Sequence, residues 1–143
     1  MRFFDYFYCK KLMTTTPQAA YNIYFDKDID AVVMVWKGYS TSEQFREGTE
    51  LMLNELIQNG SSKVLGDVRE MVLIGMEDQR WLETRFLPRA IKFGFKHIAI
   101  VTPSSYFNKV AIESVSYKVD KEKISIQFFD TREDAIRWLT EIN

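Results

Sequence analysis

His97 and Cys9 are the only imidazole and the only thiol in the 143 residues of this chain. A cysteine nucleophile needs a base within hydrogen-bond reach to take its proton. Cys9 lies in an aromatic leader, while His97 opens the apolar run His97-Ile98-Ala99-Ile100-Val101, a place that suits a structural or solvated histidine. One Cys and one His would leave a zinc ion to be completed by carboxylates, an uncommon donor set. No Gly-rich phosphate loop, Gly-x-Ser-x-Gly elbow or His-Glu-x-x-His pair occurs. These residues point away from an enzyme and imply no cofactor and no metal.

The remaining polar candidates stand at strand ends. In open α/β sheets, ligands and partners gather at the carboxyl ends of strands, beside helix amino termini. Here those ends read Asp67-Val68-Arg69, Thr102-Pro103-Ser104 and Asp130-Thr131. Asp67 and Arg69, two apart, share one strand face. They form either a polar rim to a binding surface or ordinary loop-capping and ion-pair contacts. An acid–base enzyme would have to gather them with Glu77. Beyond them comes Met71-Val72-Leu73-Ile74-Gly75-Met76, an apolar stretch inside a connection, where polar residues are the rule. In one reading Val72 and Ile74 roof the core. In the other, Met71, Leu73, Ile74 and Met76 belong to an exposed patch suited to a protein interface or an acyl chain, bordered by Glu77, Asp78 and Arg80. Arg80, Arg85 and Arg89 recur along the same segment, either as ordinary solvated charges of a helix or as the makings of an anion site.

The elements that would position these groups are legible in turn. Tyr21 to Phe25 and Ala31 to Trp36 are rich in β-branched and aromatic residues, and the polar break from Asp26 to Asp30 makes them a hairpin. Thr41 and Gln44 have capping-box spacing; the helix they open carries Phe45, Met52, Leu53, Leu56 and Ile57 on one face and stops at Asn59-Gly60. Lys63 to Val68 is a strand. Glu77 and Asp78 open a helix whose inner face is Trp81, Leu82, Phe86 and Leu87, with a bend at Pro88. His97 to Val101 is a buried strand. Ser104 or Ser105 caps a helix with Phe107, Val110, Ala111, Ser114 and Val115 inward. Ile124 to Phe129 is a strand, and Thr131 caps a last helix. The order β-β-α-β-α-β-α-β-α predicts an α/β fold with a mixed, mostly parallel sheet flanked by helices.

Composition bounds the partners. A net charge of -1 with interspersed signs provides no basic stripe for nucleic acid. Eleven Phe, seven Tyr and three Trp imply a well-filled core or an aromatic surface. The leader from Met1 to Leu12 is interrupted by Asp5 and lacks a small-residue cleavage site, so it does not read as a signal peptide. It also falls short of the roughly 20 apolar residues of a membrane span. Residues 1–16 are therefore expected to be an aromatic extension that clasps a second copy in a homodimer, and residues 17–143 a single domain. One cysteine suits a reducing, cytoplasmic setting.

Particular segments also carry a family likeness. Trp36-Lys37-Gly38-Tyr39-Ser40-Thr41 leading to Phe45-Arg46, then Val64 to Arg69, Trp81, Leu87-Pro88 and Asp134 to Leu139 resemble the SpoIIAA-like group of STAS/SEC14 domain proteins. The resemblance spans Tyr21 to Ile142. It implies a SpoIIAA-like fold and a non-enzymatic regulatory or scaffolding module that binds a protein partner, or itself, through the loop and helix start after the third strand. In the anti-sigma-factor antagonists that helix start carries a phosphorylatable Ser; the matching stretch here, Ile74 to Asp78, has no hydroxyl residue. SEC14-type relatives imply the alternative, a small carrier of a lipid or other hydrophobic ligand.

Overall fold

β1 (Tyr21–Asp26) and β2 (Ala31–Gly38) form the hairpin that the polar break implied, with Tyr21 opposite Trp36 and Asp26 opposite Ala31. The structure is a computed structural model that describes residues 20–72, 74–103 and 106–142; the expected extension over residues 1–16 and the Ser104 or Ser105 cap lie outside them. α1 (Ser42–Gln58) opens at the capping box read from the sequence. The Gln44 N–H donates to Thr41 Oγ1 at 3.1 Å, and the Thr41 N–H donates to Gln44 Oε1 at 3.0 Å.

β3 (Lys63–Met71) runs three residues past the expected end at Val68. Val35 stands opposite Asp67 but Lys37 opposite Glu70, so one extra residue on β3 makes a bulge where the strand emerges. α2 (Met76–Trp81) passes into a π-helical turn (Leu82–Phe86) and then α3 (Leu87–Lys92). The expected bend at Pro88 takes this form. Proline has no N–H for the usual bond four residues back, and the Leu87 N–H reaches the Leu82 carbonyl, five back, instead. β4 (His97–Val101), α4 (Tyr106–Tyr117), β5 (Ser125–Phe129) and α5 (Arg132–Glu141) complete the order. The Asp134 N–H donates to Thr131 Oγ1 at 3.1 Å, the expected cap of α5.

The five strands lie in the order β1-β2-β3-β4-β5, antiparallel between the first two and parallel thereafter. Right-handed crossovers that always advance in one direction put every connecting helix on the same face. Thus α1, the α2–π–α3 segment and α4 share one face, and α5 takes the other. The core divides accordingly. Val32, Met34, Trp36 and Val64 meet Met52, Leu56, Phe86 and Ala90 on the larger side. Ala31, Val33, Leu65 and Ala99 meet Ala135 and Leu139 on the smaller. Lys63 is buried there, and its ammonium donates to the Leu139 and Ile142 carbonyls at 3.0 and 2.8 Å, placing a cation at the negative end of α5.

Five of the aromatic residues form one run of rings on the larger side, Tyr21–Trp36–Phe45–Trp81–Phe86, with centroids 5.2 to 6.3 Å apart. Gly48 lets α1 lie against it, since a Cβ there would stand 2.7 Å from Trp36 Cη2 and 2.9 Å from Tyr21 Cδ2. Two residues expected to face inward, Ile57 and Val110, are exposed; Ile57 sits at the margin of its helix's apolar stripe, and Val110 lies on the face of α4 opposite buried Ala111, Val115 and Ser116. Among the described residues no helix is long and apolar enough to cross a membrane.

Candidate functional site

The carboxyl ends of β2 and β3 are tied together by the Val72 N–H, which donates to the Gly38 carbonyl at 3.0 Å. Gly38 has φ +70°, a left-handed conformation that glycine takes without strain and that directs the chain out of β2. Tyr39 follows immediately. The side chains left outward at this junction are Tyr39, Val72 and Met76, 71%, 47% and 76% exposed. Around them the charged groups Lys37, Glu70, Glu77 and Arg80 are exposed, with Lys37 Nζ and Glu70 Oε2 3.9 Å apart.

The apolar connection out of β3 therefore divides. Val72 and Met76 turn outward, Met71 is buried at 4% exposure, and Ile74 is half-buried, with its carbonyl accepting from Gln79 Nε2 at 2.8 Å. Leu73 lies outside the described residues. The reading in which Val72 roofs the core is corrected: its backbone ends the ladder on β2, and the pleat then turns its side chain away.

The acids at the start of α2 divide as well. Glu77 faces solvent. Asp78 is buried, and its carboxylate accepts from Ser42 Oγ at 2.8 Å and Arg46 Nε at 3.0 Å. It braces α2 against the first turn of α1, and the Arg46 guanidinium also lies 5.3 Å over the Trp81 ring. Asp78, expected on the charged border, is thus an internal tie, because a carboxylate this buried requires paired donors.

Asp67 and Arg69 do meet. Arg69 Nε donates to Asp67 Oδ1 at 2.9 Å and Nη2 to Oδ2 at 2.7 Å, the bidentate form that fits guanidinium to carboxylate. Arg132 Nη1 approaches the same carboxylate at 3.6 Å, and Arg132 Nη2 donates to Tyr24 Oη at 3.1 Å. Burial raises the Asp67 pKa, but the hydrogen bonds from Arg69 and the charges of both arginines outweigh it and leave the group below the usual 3.8. Asp67 lies on the α5 side of the sheet, whereas Glu77 belongs to the helices of the other side. The fold does not assemble Asp67, Arg69 and Glu77 around one point. Arg80 and Arg85 are exposed, and Arg89 pairs with Glu50, so these arginines do not converge either.

His97 Nδ1 is buried without a hydrogen-bond partner among the described residues, and the ring meets Trp138 edge-on at 6.2 Å. Among the described residues no cluster of His, Cys, Asp or Glu could hold a metal. Sequence reasoning missed Tyr39 as an outward group; its only signal was its place beside the glycine that ends β2. An apolar cavity between sheet and helices was implied only by the SEC14-type resemblance; its place on the larger side, floored by Gly66, was not read from the residues, because a glycine in a strand does not announce which space it leaves.

A family model described as SpoIIAA-like matches residues 31–140. Among solved structures, the chain is similar to an uncharacterised protein of the DUF3478 family with a SpoIIAA-like fold from Shewanella loihica, at 22% identity and a TM-score of 0.57, covering 84% of this chain and 92% of that one. That likeness speaks for the fold. No curated protein matches.

Proposed function

This chain belongs to the SpoIIAA-like family, and from that premise we propose that it is a regulatory or scaffolding domain without chemistry of its own, which binds a protein partner through the surface where β2 and β3 emerge. The observation that carries the proposal is the outward setting of Tyr39, Val72 and Met76. Three sizeable exposed apolar side chains on the segments that leave β2 and β3, with exposed charges next to them in sequence, offer the make-up of an interface centre with a polar border. Met76 adds an unbranched, polarisable side chain that adapts to an uneven partner. Glu77 and Arg80 supply rim charges of both signs, which set orientation and encounter rate more than affinity. The partner is a second copy or a different chain.

The test is affinity capture from the native cell with the double variant Val72→Asp/Met76→Asp, beside Phe93→Asp as a control. Phe93 is also exposed but lies at the other end of the sheet, just before β4. The proposal expects one protein to be captured by the wild type and by Phe93→Asp and lost with the double variant, while all three keep the same folded circular-dichroism spectrum. Sedimentation of the same proteins reads out self-association. Capture that survives the double substitution would contradict the assignment.

The carrier reading has less support. The cavity on the larger side is about 130 Å³, below the roughly 300–1,000 Å³ of pockets that take drug-sized ligands, and so below what a lipid needs.

A further inference from the structure

The same cavity suits a smaller guest. It lies between the sheet and the helices of the larger face, and its described lining is apolar apart from the Thr49 and Ser116 hydroxyls and the indole N–H of Trp36. Both hydroxyls spend their protons on their own helices: Thr49 Oγ1 donates to the Phe45 carbonyl at 2.7 Å, and Ser116 Oγ to the Glu113 carbonyl at 2.7 Å. A buried water typically makes about two to four hydrogen bonds, and these two hydroxyls have no proton left to give it. Water therefore gains little by entering, and an apolar molecule gains the contacts that the walls lack.

The walls also indicate the kind of molecule. Trp36, Phe45, Phe86 and Phe95 line the space together with the thioethers Met34 and Met52. Rings favour edge-to-face or offset contact with another ring, and methionine sulfur favours a ring edge. The floor is open because β3 has a glycine there. A Cβ on Gly66 would meet only Ile98 Cδ1 at 3.7 Å and the Ala99 carbonyl oxygen at 4.0 Å, both ordinary contacts. The volume is close to that of an engineered apolar cavity of about 150 Å³ that takes benzene or xenon, and this one is open on one side.

We propose that this cavity is a binding site for an uncharged molecule the size of a single aromatic ring. Half-buried Ile74, on the connection out of β3, and half-buried Ile112, on α4, are part of the lining and give the guest its way in. The proposal does not rest on the docking surface: the site lies inside the larger core layer, and only its entrance at Ile74 shares the connection that carries Val72 and Met76.

Benzene is the probe. Thermal denaturation of the full chain should show a Tm that rises and saturates with benzene, as expected for a ligand that binds only the folded state. Gly66→Val, which puts a β-branched side chain into the floor, should fold and lose that rise. Methyl resonances of Ile98, Ile100, Ile112 and Val115 should move in the wild type, while those of Val33 and Leu139, on the far side of the sheet, stay in place. Palmitate should leave Tm unchanged. An equal benzene effect in folded Gly66→Val, wild-type shifts that are absent or that reach Val33 and Leu139, or stabilisation by palmitate would overturn the proposal. Should Gly66→Val fail to fold, the wild-type methyl map decides alone.

Discussion

Gly48 shows how much can rest on one atom that is not there. A glycine inside a helix ordinarily costs about 1 kcal/mol relative to alanine, so from sequence alone Gly48→Ala reads as an improvement. In the fold the new methyl would stand under 3 Å from Trp36 and Tyr21, and overpacking of that kind costs about 1–3 kcal/mol. The expected net effect of Gly48→Ala is no gain and a loss of up to about 2 kcal/mol, read as a urea midpoint that does not rise, at an unchanged slope. No spacing rule could have flagged this position, because the close approach involves residues 12 and 27 positions away in the chain. Asp67 and Arg69 are the opposite case. Their separation by two residues in a strand already puts them on one face, and the bidentate pair follows from that and from guanidinium geometry. What spacing did not reveal was that the pair would be turned largely on itself and on Arg132.

Helices and strands were legible wherever a local rule governs them. The capping box at Thr41, the Thr131 cap and the hairpin between β1 and β2 all follow from side chains within a few residues of one another. The end of β3 was not, since its last residues are held by a bulge against β2, and a bulge is a property of two strands at once. The π-helical turn before Pro88 lies in between: the missing N–H predicts an interruption but not its kind. The smaller core layer offers a test at this scale. His97 opens β4 beneath α5 with Nδ1 unpartnered. Burial, then the nearby charges of Lys63 and Lys96, hold its pKa below the usual 6.5. The folded state thus favours the neutral ring, and between the lowered pKa and 6.5 the unfolded chain binds more protons than the native one. Stability should be fullest above about pH 6.5 and fall as pH drops through the lowered value. His97→Phe, which keeps a ring against Trp138 and cannot titrate, should remove that part of the slope, as measured by urea midpoints across pH 5 to 8. An unchanged slope would mean that the imidazole is not the group responsible.

At the scale of the whole molecule, one topological fact organises the rest. A sheet whose strands follow chain order stacks its crossover helices on one face, leaving the other to α5. Fold class and element order were legible because they depend on alternation of patterns along the chain. The layering that produces a cavity over Gly66 was not, because it depends on how far helices stand from strands. The same topology brings the carboxyl ends of β2 to β5 to one end of the sheet, so Tyr39, just after β2, leaves the sheet beside the Val72 to Met76 stretch that follows β3. The account holds that this neighbourhood is what a partner touches. Its most direct test is a photocrosslinking residue, benzoylphenylalanine, placed at Met76 in the native cell, with a second protein carrying it at Phe93. The account predicts a discrete protein adduct from position 76 on irradiation and none from position 93. No adduct at 76, or the same adducts at both positions, would contradict it.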